Sequence, residues 1–182
     1  MLVPGRECGE CTACCVHLRI DTEELQKPED VPCEHLVPKR GCGIYEQRPP
    51  VCWNWHCGWR KIAFLDDQWR PDRCGIMIRL EPRGIVLQAI GSMQAYLTSQ
   101  ALQLIGASVD SGKPIFINTP GKPGHTSASM QLNDALAGAV KAHDRGAVIE
   151  EIVKAVEFGL NFSTDPISPM TVYPMKRIDP ET

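Results

Sequence analysis

The sequence offers no run of apolar residues approaching the roughly 18 that a membrane-spanning helix requires. Its first ten residues, MLVPGRECGE, lack the basic start and apolar stretch of a secretory signal. These absences exclude a helical membrane span, leave no membrane partner to expect, and point to a cytoplasmic chain. Basic charge is also scarce. Nineteen Lys and Arg against 22 Asp and Glu give a net charge of -3, which argues against broad adhesion to phosphate backbones, so nucleic acid is not an expected partner. With 43% hydrophobic and 23% charged residues the composition is that of a globular protein, and 182 residues suffice for one ordinary domain or for a small metal-stapled module fused to a compact partner.

Cysteine is what the chain has in excess. Eight of the nine, Cys8, Cys11, Cys14, Cys15, Cys33, Cys42, Cys52 and Cys57, fall in the first third, and Cys74 stands apart. A reducing cytosol keeps ordinary thiols reduced, so this is not a disulfide framework. The same region carries Gly5, Gly9, Gly41, Gly43, Pro28, Pro32, Pro38, Pro49 and Pro50, which interrupt any long periodic element. Its order is expected to come from cross-links through metal, helped by Val16, Leu18 and Ile20, which alternate as a short strand would.

Beyond Cys74 the pattern changes. Ile76, Ile78 and Leu80 alternate, Glu81 to Gly84 supplies a turn, and Ile85, Val86, Leu87 and Ile90 resume an apolar run, which predicts a β-hairpin. Leu97, Ala101, Leu104, Ile105 and Val109 recur at helical spacing, with Gly112 placed to end that helix before a strand at 115–117. The segment 118–127 reads as a loop. Two more helices are predicted, one carrying Leu132, Leu136, Ala139 and Val140, the other Ile149, Ile152, Val153, Val156 and Leu160, separated at Gly146. The fold class is therefore α+β: a small, metal-organised, cysteine-rich N-terminal module packed on a β-hairpin and about three α-helices. The expected divisions are 1–73 for the module, 74–162 for the α+β region and 163–182 for an extended Pro-rich tail.

Cys8, Cys11, Cys14 and Cys15 form a C-x2-C-x2-C-C arrangement, four soft anionic ligands in one short loop. Packing alone scatters core cysteines and does not space them in triplets. The triplet is similar to the C-x2-C-x2-C run that wraps a cubane in bacterial ferredoxins, but the x3-C-P continuation is replaced by the adjacent Cys15. Adjacent side chains usually point apart, so Cys14 and Cys15 can serve different metals, or one of them can support the ligands without binding metal itself. The later spacings contain no second C-x2-C knuckle, which weakens zinc-ribbon readings without removing zinc. Trp53, Trp55 and Trp59 interleave with Cys52 and Cys57 as module core or as a water-excluding wall. His17, His35 and His56 read as surface residues or as supports of the ligands. Arg48 reads either as a hydrogen-bond donor to thiolates or as a turn anchor.

CGECTACC at 8–15, PCEHL at 32–36, GCGIYEQRPPVC at 41–52 and WNWHC ending at Cys57 together resemble the CxxCxxCC cysteine-cluster family, the YkgJ-like zinc- or iron-chelating proteins. Tyr45, Glu46, Arg48 and Pro49 match that family's aromatic-acidic-x-Arg-Pro signature, whereas the Trp-x-Trp-His stretch departs from its common usage. The resemblance covers roughly the first 60 residues. It implies that all eight matched cysteines bind metal, as an iron–sulfur cluster or as Zn2+. It implies no reaction. Some relatives join such a cluster to protein lysine methylation, but this chain has no recognisable Gly-rich nucleotide motif, so that activity is not carried over.

Three roles compete: a redox or metal-handling protein, a zinc-organised module that binds a protein partner, and a metal-dependent oxidoreductase or protein-modifying enzyme. The sequence displays no acid, base or nucleophile set that identifies catalytic residues, and no binding motif for an organic cofactor.

Overall fold

The computed structural model describes residues 1–37 and 40–167. The molecule is an α+β protein in which seven α-helices and eight strands alternate unevenly along the described residues. The cysteine-rich part is built from short pieces: α1 (Ala13–His17), β1 (Ile20–Asp21), β2 (Gln26–Lys27), β3 (Leu36–Val37), β4 (Gly41–Cys42), α2 (Pro50–Asn54), α3 (Gly58–Lys61) and α4 (Pro71–Cys74). β1 pairs antiparallel with β2 and β3 with β4. Two-residue strands and single-turn helices are marginal on their own, so this region depends on what ties its loops together.

The remainder holds β5 (Ile76–Glu81), β6 (Gly84–Ala89), α5 (Ser99–Asp110), β7 (Ile115–Thr119), β8 (Ala128–Gln131), α6 (Asn133–Lys141) and α7 (Arg145–Asn161). The expected hairpin is β5–β6, with Glu81 opposite Gly84 across Pro82 and Arg83. Gly84 has φ +143°, and a Cβ there would lie 2.4 Å from the Pro114 carbonyl oxygen, so the turn requires glycine. The hairpin is half of a larger, mixed sheet of order β5-β6-β7-β8. β6 and β7 run parallel, joined by the crossover through α5, and β8 returns antiparallel. Ile78, Leu87, Ile117 and Met130 share one row across all four strands.

Leu104, Ile105, Leu132, Leu136, Val148 and Ile152 bury the helices against this sheet. Thr98 and Asp144 cap α5 and α7 by accepting the Ala101 and Ala147 N–H groups. The Tyr96 hydroxyl, fully buried, accepts the Ala89 N–H at 2.8 Å and shares its proton between the carbonyls of Asn118 (2.6 Å) and Leu87 (2.9 Å).

Four details differ from the sequence expectation. Val16 lies in α1, and Leu18 between elements, so the expected strand at 16–20 reduces to Ile20 and Asp21. Residues 118 and 119 continue β7, and β8 occupies a stretch with no expected strand. The break between the last two helices lies at 142–144, with His143 at φ 53°, while Gly146 is inside α7. Leu160 is 43% exposed, whereas Val148, absent from the predicted face, is buried. Of the predicted tail, residues beyond Ile167 lie outside the described residues.

The cysteine-rich segment joins the sheet at its β5 edge. Ala13, Cys57, Trp59, Leu65 and Trp69 belong to the same apolar cluster as Ile76, Ile78 and Leu87. The closest approach is at Gly58, the first residue of α3, where a Cβ would lie 2.5 Å from Cγ2 and 2.8 Å from Cβ of Ile78. Gly58→Val is expected to push α3 off β5 and cost about 1–3 kcal/mol, the usual range for overpacking. A lowered urea midpoint checks it; an unchanged midpoint would mean that α3 shifts freely. A second tie is Glu29, which accepts from Gln88 Nε2 (3.0 Å) and Ser127 Oγ (3.2 Å). Burial raises its carboxyl above the ordinary carboxylate range, against the Ser127 hydrogen bond.

Candidate metal centre

All eight clustered cysteines line one cavity of about 320 Å3 between the short N-terminal elements and β5. Two turns set the first four sulfurs. The Cys11 N–H donates to the Cys8 carbonyl at 2.9 Å, and α1 then presents Cys14 and Cys15 on consecutive residues. The N-terminal arm is fastened over the segment that follows Cys57. Val3 N–H donates to Arg60 O at 2.8 Å, and the Arg6 guanidinium donates to the carbonyls of Trp59, Ile62, Ala63 and Leu65. Cys8 is thereby brought beside α3, with its Sγ 3.8 Å from Arg60 Nη1.

Backbone pairing gathers the remaining cysteines. Cys33 N–H donates to Cys15 O at 2.8 Å, Leu36 N–H to Cys33 O at 2.9 Å, and Leu36 stands opposite Cys42 in the β3–β4 pair. Cys52 comes from the first turns of α2, which opens at Pro50. Cys57 caps the start of α3 and is buried. Cys74, at the end of α4, does not line the cavity; its sulfur accepts the Ile76 N–H at 3.3 Å and lies near the Trp69 and Ile76 carbonyls.

The mutual influences of the thiols fall into two sets joined by a hydrogen bond between the Cys14 and Cys15 thiols, the strongest influence on either. Cys14 acts with Cys8 and Cys11, Cys11 with Cys57, and Cys57 with Cys8. Cys52 acts with Cys15, Cys33 and Cys42, and Cys33 with Cys15 and Cys42. Burial pushes Cys57, Cys33 and Cys52 up, and Cys11 up to about 11. Cys14 donates its proton to Cys15, which raises Cys14 and lowers Cys15 to about 7, with Lys27 and Arg48 assisting at Cys15. In a cavity that favours neutral thiols, a bound cation supplies the charge that makes them thiolates.

The cations are placed by residues that the spacing of the cysteines does not reveal. Lys27 is 2% exposed, and its ammonium donates to the carbonyls of Val16 (2.7 Å), Pro28 (2.8 Å) and Val31 (2.9 Å). Arg48 lies between the rings of Tyr45 and Trp53, 4.0 and 4.1 Å from their centroids, and makes no ion pair among the described residues. It is a donor at the cavity wall and not a salt-bridged turn anchor. Among the described residues, four buried N–H donors of the cavity lining have no partner: Arg48 Nε, Trp59 Nε1, Arg60 Nε and Arg79 Nε. Such a concentration of unmet donors calls for acceptors within the cavity.

No family model, curated protein or solved structure matches this chain. Its chemistry is therefore read from its own residues. Among the described residues, no three Cys, His, Asp or Glu side chains converge closely enough to hold one ion between them. His35 and His56 line the cavity, and burial lowers the His56 imidazole. His17 is instead paired with Asp30 at 2.7 Å. Of the three tryptophans, Trp59 is buried and Trp55 packs against the core, whereas Trp53 is 45% exposed over Arg48.

Proposed function

We propose that the chain is an iron–sulfur protein that carries electrons, with Cys8, Cys11, Cys14, Cys15, Cys33, Cys42, Cys52 and Cys57 as the metal ligands. The observation that carries this reading is the size of the one cavity that all eight thiols line together with apolar and cationic neighbours, about 320 Å3. Thiolates that share one zinc ion each lie about 2.3 Å from it and leave no void between them. A cavity of about 150 Å3 already admits a benzene molecule. Eight thiols spread around twice that volume, with no three converging on a point, suit a polynuclear group better than single ions. The four unpartnered donors support the same reading, because bridging sulfides and thiolates both accept N–H bonds.

When bound, such a group exchanges single electrons at a potential set by burial, charge and hydrogen bonds to sulfur. The chain's own residues supply all three. Leu18, Leu25, Trp55 and Trp59 exclude water; Lys27, Arg48 and Arg60 offset the negative charge of the thiolates; and Arg60 Nη1, 3.8 Å from Cys8 Sγ, supports hydrogen bonding to sulfur. This reading accords with the resemblance of its first 60 residues to the CxxCxxCC cysteine-cluster proteins. A cytoplasmic location accords with it, since free thiols persist in a reducing compartment.

Among the described residues no helix is long and apolar enough to cross a membrane.

Protein purified without oxygen is expected to contain iron and acid-labile sulfide in equal amounts, with broad visible absorption that bleaches on reduction. Zinc without sulfide would instead favour a structural or metal-handling module and end the electron-carrier reading.

A further inference from the structure

The two sets of thiols differ in more than distance. Cys57 is a member of the apolar core, and Cys11 and Cys14 pack against it; Cys8, Cys15, Cys33, Cys42 and Cys52 do neither. The first set is assembled by the N-terminal arm clamped on α3 and has Arg60 beside it. The second is assembled by the Cys33–Cys15 backbone bond and the β3–β4 pair, with Lys27 and Arg48 as its cations. The sets meet at Cys14 and Cys15, which share a peptide bond and whose thiols are hydrogen-bonded to each other.

Building on the iron–sulfur reading, we propose that the cavity holds two separate four-thiolate clusters, an inner one on Cys8, Cys11, Cys14 and Cys57 and an outer one on Cys15, Cys33, Cys42 and Cys52. Four cysteines are the complete ligand set of either common cluster type, so the eight divide without remainder and without a histidine ligand. The doubled cysteine then has a physical purpose. Consecutive Cα atoms are about 3.8 Å apart, so ligation of different clusters by Cys14 and Cys15 holds the two side by side within easy electron-transfer range. The inner cluster has one guanidinium, that of Arg60, beside it, and the outer one both an ammonium, that of Lys27, and a guanidinium, that of Arg48. The two accordingly differ in potential, with the outer cluster the more easily reduced of the pair because two cations favour the added negative charge.

The test uses the full chain, reconstituted anaerobically with iron and sulfide, beside two double variants, Cys8→Ala with Cys11→Ala and Cys33→Ala with Cys42→Ala. Each variant is expected to keep half of the wild-type iron and half of its sulfide. On full reduction the wild type is expected to give an electron paramagnetic resonance spectrum broadened by two interacting spins, and each variant a single narrow signal. The wild-type spectrum needs no variant to fold: one uncoupled spin per chain overturns the division. Complete loss of iron from a variant whose circular dichroism still shows the folded sheet and helices also overturns it, while leaving the iron–sulfur reading intact. Wild-type protein without sulfide overturns both.

Discussion

Removing the metal is expected to unfold the cysteine-rich segment while the four-stranded sheet stays folded. The difference lies in what each part buries. Only six of the buried apolar residues, Ala13, Leu25, Cys57, Trp59, Leu65 and Trp69, precede β5, against eighteen from Ile76 onward. Four of the six lie between 57 and 69, next to β5, so residues 8–56 retain almost no apolar core. Their two-residue strands cannot offset the backbone entropy of ordering about 50 residues at roughly 1–2 kcal/mol each. Metal ligation must supply the difference, and binding energies of structural metal sites, on the order of 10 kcal/mol, are large enough to decide folding. Hydrogen exchange measured along the intact chain, before and after anaerobic chelation, checks this. Protection is expected to vanish across 8–56 and to persist in β5, β6, β7 and α5. Equal loss throughout would mean that the metal stabilises the whole molecule as one unit, and no loss would mean that the segment folds without it.

The second large effect is expected at Lys27. Its ammonium satisfies three carbonyls at once, and no carboxylate compensates its charge within the same hydrogen-bonding shell. Burial pulls the Lys27 pKa down, while Cys33, Cys15 and Asp30 oppose that shift. Lys27→Met leaves Val16, Pro28 and Val31 carbonyls without a partner. Pro28 and Val31 are exposed, so water can replace part of what is lost and the cost is about 1–3 kcal/mol, concentrated in the loop that carries Cys33. The same change removes a counter-charge from the thiolates. Metal release to a competing chelator is expected to accelerate at least tenfold relative to wild type, with thermal stability of the sheet little changed. Release at the wild-type rate would show that the ammonium serves the loop alone.

How legible this was differs between the two halves of the molecule. The hairpin could be read because β5 alternates at Ile76, Ile78 and Leu80 and because Glu81-Pro82-Arg83-Gly84 leaves only a turn. α5 and α6 could be read because their apolar residues recur at helical spacing. β8 could not: Ala-Ser-Met-Gln has no apolar alternation, and its strand conformation comes from pairing with β7, a partner distant in register from any local signal. α1 was misread for a related reason. Val16, Leu18 and Ile20 alternate, but Cys14 and Cys15 are placed by a helical turn that the alternation hides. In the proposed metal centre, the candidate ligands announce themselves by spacing, since thiols so dense have few other uses. The side chains that complete the cavity do not. Lys27 stands in the polar stretch Gln-Lys-Pro-Glu-Asp, where a solvated lysine is the ordinary expectation, and Arg79 reads as the outward residue of an alternating strand. Arg6 and Arg60 are 54 positions apart, and only the folded chain shows that both serve the Cys8–Cys57 junction.

X-ray absorption at the metal edge of anaerobically purified protein tests the central claim most directly. The account predicts iron with a shell of sulfur neighbours and, beyond it, a shell of neighbouring iron. Zinc surrounded only by sulfur at about 2.3 Å, with no second metal in range, would contradict it.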